Sequence, residues 1–223
     1  MKEYLFFFDV NGTLIKDKPD NDLAYKNTLN ELFTIKNPLQ GIQTTARSDK
    51  KIFEEFLEKH KIKYTKSIYK IFLQHYEENL TKFSKQNIWE SNINVKKFIK
   101  FLINKQANLA LLTGNLKIGA KYKLESIELW RYFEIGGFGE DGETRRKIAE
   151  TALKKTQDYF NLKFDNIFVI GDTEKDIDVA KYLNSKSIIF VKNSRKQEEL
   201  EKFNPDFLIN NFEKAMEILD NEI

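Results

Sequence analysis

The 223-residue chain has no cysteine, which excludes disulfides, thiol catalysis and cysteine-ligated zinc. It has two histidines, His60 and His75, too few for a multi-histidine metal site, and both are expected to be ordinary helix residues. No apolar run approaches the roughly 18 residues that a membrane span requires. The apolar run Tyr4–Phe8 is too short for a signal peptide and ends in Asp9 without a small-residue cleavage site, so the expectation is a soluble cytoplasmic protein. An excess of one charge sign is also missing. The net charge is +3, from 37 Lys/Arg against 34 Asp/Glu, which is not the footprint of a nucleic-acid binder. What the chain does have is 41% hydrophobic residues, with 19 Phe and 9 Tyr. That composition folds, and the length suffices for one large domain or two modest ones.

Tyr4-Leu5-Phe6-Phe7-Phe8 is apolar at every position, the mark of a strand buried on both faces of a parallel sheet. Leu109–Leu112, Ile167–Ile170 and Ser187–Val191 read the same way, and Phe207–Ile209 suggests an edge strand. Helical faces lie between them: Val95, Phe98, Ile99 and Leu102; Ile148, Ala152 and Leu153; Ile177, Ala180 and Leu183. Strand and helix in alternation predict an α/β fold with a doubly wound parallel sheet. Residues 16–86 break the rhythm. They hold helical stripes (Ile52, Phe53, Phe56, Leu57; Ile68, Ile71, Phe72, His75) and no buried-strand run, and Pro19 and Pro38 mark loops. The expectation is an all-helical insert at 16–86, joined to a core of 1–15 and 87–223 by hinges near Lys16 and Trp89. The insert carries 14 Lys/Arg against 10 Asp/Glu, either a solvated helical surface or a basic lid over an anionic substrate. Trp89 and Trp130 are expected to pack against the core.

Three of the strand runs end in polar residues: Asp9-Val10-Asn11-Gly12-Thr13, Thr113-Gly114-Asn115, and Gly171-Asp172-Thr173-Glu174-Lys175-Asp176. Ligands of open α/β sheets bind at the carboxyl ends of strands, so these ends should converge. Clustered carboxylates repel unless a cation lies between them, and oxygen-only ligands suit Mg²⁺ held by one or two carboxylates and a substrate phosphate. A threonine hydroxyl and free backbone N–H groups suit phosphate oxygens, and a carboxylate beside them can attack phosphorus.

The pattern Asp9-x-Asn11-Gly12-Thr13-Leu14, then Thr113-Gly114-Asn115, then Gly171-Asp172-x-x-x-Asp176, resembles the haloacid dehalogenase (HAD) superfamily of phosphohydrolases. The stretch from Leu111 through Lys123-Leu124-Glu125 to Gly137-Phe138-Gly139-Glu140-Asp141 is similar to phosphoglycolate-phosphatase-like members, whose helical cap is inserted after the first motif. Thr45-Ala46-Arg47-Ser48-Asp49 resembles a short cap motif of that group. Arg47 and Asp49 there read equally as an exposed charged turn or as specificity residues.

The resemblance implies a Rossmann-like core and a Mg²⁺-dependent phosphatase acting on a small phosphorylated metabolite through an aspartyl-phosphate. Asp9 would be the nucleophile and a metal ligand, and Asn11 would offer its backbone carbonyl to the metal. Thr113, Gly114 and Asn115 would bind the phosphoryl group. Asp172 would ligate Mg²⁺, and Asp176 would complete and orient the metal shell. A phosphate-clamping cation is expected among Arg145, Arg146 and Lys147, with Arg145 preferred by its spacing from Phe138–Asp141. The expected state is a monomer or weak homodimer without nucleic-acid or membrane partners.

The departure from the family is Asn11, where most of these phosphatases have an Asp that protonates the leaving oxygen. An amide cannot exchange a proton near neutral pH. Losing a general acid–base typically costs about 10²–10⁴-fold. Three readings stand side by side: a slow or specialised enzyme that borrows a proton carrier from its cap, an impaired protein that binds a phosphorylated ligand, or an engineered Asp-to-Asn variant. Haloacid dehalogenation fits less well, because that chemistry needs no Mg²⁺ and the metal-site pattern of Asp172 and Asp176 is kept.

Overall fold

The computed structural model describes residues 3–45, 47–86, 88–192, 194–220 and 222–223, and Arg195 without its side chain. Its centre is a parallel sheet of six strands: β1 (Tyr4–Phe8), β2 (Asn108–Leu112), β3 (Gly136–Gly137), β4 (Asn166–Gly171), β5 (Lys186–Phe190) and β6 (Phe207–Ile209). Their order across the sheet is β3-β2-β1-β4-β5-β6. The chain therefore winds outward from β1 in one direction, returns, and winds outward in the other. The β1/β4 boundary is where the winding reverses and where such sheets open a crevice. Phe8 there pairs with Ile170, so the loops after the two strands start side by side.

Residues alternate across the strands. Phe6 and Phe8 join a core with Phe98, Phe133 and Phe168 on one face. Leu5 and Phe7 meet Ala110, Ile148, Ala152 and Val179 on the other. The first face is covered by α4 (Val95–Asn104), α5 (Lys117–Ser126) and α9 (Phe212–Asp220); Phe212 of α9 stacks on Phe98 of α4 at 5.2 Å. The second face is covered by α6 (Arg145–Phe160) and α7 (Glu174–Tyr182). The short helix α8 (Ser194–Glu201) adds Leu200 to a small cluster with Ile177 and Ile189. The four buried runs and the edge strand expected from sequence are all strands, but β3 is an addition. It consists of two glycines, each set by a close neighbour: a Cβ at Gly136 would lie 2.7 Å from the Leu111 carbonyl oxygen of β2, and one at Gly137 would lie 2.6 Å from the Ala152 Cβ of α6.

Between β1 and α4 the chain forms α1 (Leu23–Phe33), α2 (Asp49–Lys59) and α3 (Lys66–Ser84), and no strand occurs among the described residues of 16–86. Their shared interior is aromatic. Phe72 stacks on Phe53 at 4.3 Å and meets the Tyr25 edge at 5.2 Å. The expected stripe Ile68, Ile71, Phe72, His75 is corrected here. Ile71 is 46% exposed, and the buried face of α3 runs Phe72, Tyr76, Leu80, Phe83. α3 meets α5 at Gly119, where a Cβ would lie 2.6 Å from the Tyr76 hydroxyl. The chain enters and leaves the helical insert through neighbouring segments: Lys16 N–H donates to the Glu90 carbonyl at 2.8 Å, and Lys16 and Lys18 both pair with the Glu90 carboxylate. Trp89 is buried and Trp130 partly so. The expected boundary at 86/87 falls beside Asn87, which lies outside the described residues, as does Ala46 of the short cap motif. Among the described residues no helix is long and apolar enough to cross a membrane.

Candidate active site

The loop after β1 is fixed before any ligand arrives. Asp9 N–H donates to the Ile170 carbonyl at 2.9 Å, which ties the loop to β4. Gly12 turns the chain at φ +81°, and a Cβ there would lie 2.1 Å from Asp172 Oδ2. Glycine is required twice over, by its backbone angle and by the carboxylate lodged against it. The buried side-chain amide of Asn92 donates to the Gly12 and Thr13 carbonyls at 3.0 and 2.7 Å.

After β2, Thr113 is fully buried. Its Oγ1 accepts from the backbone and side-chain N–H groups of Asn115 at 3.2 and 3.0 Å, and it stands beside the Asp9 carboxylate, whose charged form it favours. After β4, Asp176 of α7 folds back over Gly171. Its Oδ2 accepts from the N–H of Asp172, from the N–H of Thr173 and from the Thr173 hydroxyl. These bonds form a capping box at the start of α7. The other Asp176 oxygen accepts from Arg145 at 2.7 Å.

Arg145 opens α6 and reaches under the strand ends. Its Nη2 donates to Asp9 Oδ1 at 2.9 Å, to Asp176 Oδ1 at 2.7 Å and to the Leu112 carbonyl at 2.9 Å. Burial works against its charge, but Asp176 and Asp9 outweigh that and hold it protonated. Its Nε is buried without a partner, so the donor capacity of the guanidinium is only partly used. Of the other two candidate cations, Arg146 pairs with Asp178 and Lys147 with Glu150, both on the outer surface.

These residues meet in one cavity of about 200 Å³, lined among others by Asp9, Asn11, Asn115, Arg145, Asp172 and Asp49. Thr113 lies behind it, and Gly114 forms part of the wall. Burial raises the Asp9 carboxyl above its usual range; Arg145 opposes this and Asp176 adds to it. Burial, and then the charges of Asp9 and Asp176, push Asp172 to about 7, with Lys192 at 3.3 Å opposing. Asp9 raises Asp172 and Asp176 raises both, the electrostatics that a bound cation would relieve. Among the described residues no three acidic or histidine side chains converge on a point. The available set is Asp9, Asp172 and the main chain at Asn11. All are oxygen donors, and the Gly12 cradle leaves room for Asp172, so the set fits a small hard dication. Asp176 is committed to its capping box and to Arg145.

Two residues stand out that motif reading did not assign. Lys123 of α5 is 2% exposed and donates to Asn11 Oδ1 at 3.1 Å and Asn115 Oδ1 at 2.7 Å, with Asp22 at 3.7 Å. The available signal was a lone charge on the apolar face formed by Ala120 and Leu124. Lys192 holds Asp172 and Asp17 at the opposite wall. From the insert, Arg47 is held by both oxygens of Glu55. Asp49 is bound across to the loop after β2: its N–H donates to the Gly114 carbonyl at 2.8 Å, and its Oδ2 accepts from Leu116 N–H at 2.9 Å.

Comparison with known proteins agrees with this geometry. The sequence model of a family described as haloacid dehalogenase-like hydrolase matches residues 6–190. The chain is 26% identical over 227 residues to a phosphoglycolate phosphatase of Aquifex aeolicus (strain VF5), covering 98% of each chain. Among solved structures it is similar to a hydrolase from Pseudomonas syringae (TM-score 0.70, 15% identity, 99% of both chains). It is also similar to CbbY from Rhodobacter sphaeroides in complex with phosphate (TM-score 0.72, 16% identity, 95% of both chains).

Proposed function

The chain belongs to the haloacid dehalogenase-like hydrolases, and from that premise we propose that it hydrolyses the phosphomonoester of a small phosphorylated metabolite. What carries the reading is the meeting of Asp9, Arg145 and Asp172, from three separate segments, in one small cavity, with the buried Thr113 beside Asp9. The Asp9 carboxylate attacks phosphorus. Arg145 bonds it and Asp9 N–H is tied to Ile170, so the attacking group is fixed in place and the entropy of orienting it is met by the fold. Arg145 and the main-chain N–H of Gly114, both at the cavity wall, bind the phosphoryl oxygens. Mg²⁺, held by Asp9, Asp172 and the Asn11 carbonyl, would neutralise the charge shared by the nucleophile and the phosphoryl group.

In this reading residues 16–86 are a cap that closes over a core of 1–15 and 87–223 and excludes water. The protein works in the cytoplasm as a monomer or weak homodimer, without nucleic acid. Turnover of p-nitrophenyl phosphate with and without Mg²⁺ tests the proposal. Hydrolysis that needs Mg²⁺ and disappears in Asp9→Asn is the expected result. Thermal stabilisation by phosphate with no turnover would overturn it and leave a ligand-binding protein.

A further inference from the structure

We infer that Asp49, from the helical insert, is the residue that gives the leaving oxygen its proton and then takes one from the attacking water. This inference rests on the phosphatase reading above. It begins from Asn11, which lines the cavity where an acid would be expected and whose Oδ1 is held by the Lys123 ammonium. A carboxamide so held offers N–H donors but no exchangeable acid. The other carboxylates near the reacting centre are occupied. Asp9 is the attacking group, Asp172 faces Lys192, Asp176 is tied to Arg145 and its capping box, Asp17 pairs with Lys192, and Asp22 lies 3.7 Å from Lys123.

Asp49 is free of these duties and lines the same cavity. It is fixed there by the two bonds to Gly114 and Leu116, so it stands on the insert while registered to the loop that carries Thr113 and Asn115. Its Oδ2 takes the Leu116 N–H, and Oδ1 has no partner among the described residues. Its surroundings suit an acid that cycles near neutrality. Burial raises its carboxyl to about 7. Lys123 of α5 opposes this, and Asp22 before α1 and Glu140 after β3 add to it. The tyrosines facing it, Tyr25 of α1 and Tyr69 and Tyr76 of α3, are themselves held protonated by burial and do not compete for the charge.

The balance of the two steps is complete. As an Asp9 oxygen bonds phosphorus, the bond from phosphorus to the ester oxygen breaks. That oxygen keeps the electron pair and takes the proton of Asp49, which leaves an alcohol, a phosphorylated Asp9 and an ionised Asp49. Asp49 then removes a proton from water as the water oxygen bonds phosphorus. The bond to Asp9 breaks with its electron pair returning to the carboxylate, inorganic phosphate departs, and Asp49 is again protonated. No other reactant is needed.

Asp49→Asn tests this without disturbing the fold, because the amide oxygen still accepts from Leu116. The expected result, with Mg²⁺ present, is a fall in kcat of about 10²-fold or more on an alkyl phosphate. On p-nitrophenyl phosphate, whose leaving group needs little protonation, the first step should fall far less. In the parent protein kcat on the alkyl ester should decline above about pH 7 as Asp49 ionises, and this limb should vanish in Asp49→Asn. Asp49→Glu should restore part of the rate. Equal losses on both esters with an unchanged pH profile would overturn the role of Asp49 and mark it as a docking residue only. So would a gain of 10²-fold in Asn11→Asp that makes Asp49→Asn silent. Activity that survives Asp9→Asn would instead defeat the phosphatase reading itself, so the two failures are distinguishable.

Discussion

Replacing Arg145 by Met removes the one cation that touches both Asp9 and Asp176 in the described structure while keeping much of its apolar volume. At a charge separation of about 4 Å and an effective dielectric of about 20, each pairing has a gross value of about 4 kcal/mol. The guanidinium no longer has to be desolvated in the variant, which offsets part of this. Asp176 keeps three donors and Asp9 keeps Thr113. The net destabilisation expected is therefore about 3 kcal/mol near pH 8, at the low end of the about 3–5 kcal/mol typical for breaking a buried pair.

Its pH dependence is the more decisive feature. Asp9 is already raised by burial, and without Arg145 it rises further above its unfolded value. A carboxyl raised in the folded state favours folding below its unfolded pKa and loses that contribution as pH climbs through the folded pKa. The deficit of Arg145→Met should thus be largest at pH 8 and shrink by half or more at pH 4.5. Urea unfolding followed by circular dichroism at the two pH values measures it. An equal deficit at both would refute the electrostatic account and assign the role of Arg145 to packing.

Gly12→Ala should lower turnover by at least about tenfold, because its Cβ must displace the Asp172 carboxylate and the backbone at φ +81° is strained by about 1–2 kcal/mol; Mg²⁺ titration by calorimetry should show weakened binding. In metal-free protein Asp172→Asn should be stabilising at pH 8, by up to about 4 kcal/mol from a rise from 3.8 to about 7, and nearly neutral at pH 4, since the penalty for its charge appears only as pH rises through that window; thermal unfolding at both pH values decides it. Phe72→Ala should cost about 3–5 kcal/mol by emptying the aromatic stack of the insert, readable in urea melts, and a loss under about 1 kcal/mol would show that the insert repacks freely.

The sheet was legible because its central strands are buried on both faces and carry unbroken apolar runs, Leu5–Phe8, Leu109–Leu112 and Ile167–Ile170. Strand β3 was not, because two glycines have no hydrophobic signature; they form a strand by pairing with Leu111 and Leu112 of β2, with α6 packed against Gly137, which no local pattern records. The site was legible where function lies at strand ends: Asp9, Thr113 and Asp172 directly follow β1, β2 and β4. Arg145 over its neighbours could be preferred only by resemblance, since the choice depends on which side chain points under the sheet. Ile71 was misplaced because a stripe read on a 3.6 period fits two adjacent faces, and only packing against α1 and α2 picks one. Lys123 meets Asn11 across 112 residues and Asp49 meets Leu116 across 67, and distances of that kind leave no trace in spacing.

The central position of β1 bears on how the chain is made. This strand leaves the ribosome before the other five, yet its two neighbours in the sheet are β2, about a hundred residues later, and β4, later still. Until both exist, Leu5-Phe6-Phe7-Phe8 is an apolar strand with open edges, the kind of segment that pairs with other chains. In the meantime α1 to α3 are complete, and their aromatic interior draws on residues close in sequence, so they can collapse early. The order of synthesis thus delivers a folded helical body tethered to an unpaired strand, and the long wait for β4 is the step at which slowed translation or a missing chaperone should tell most on yield.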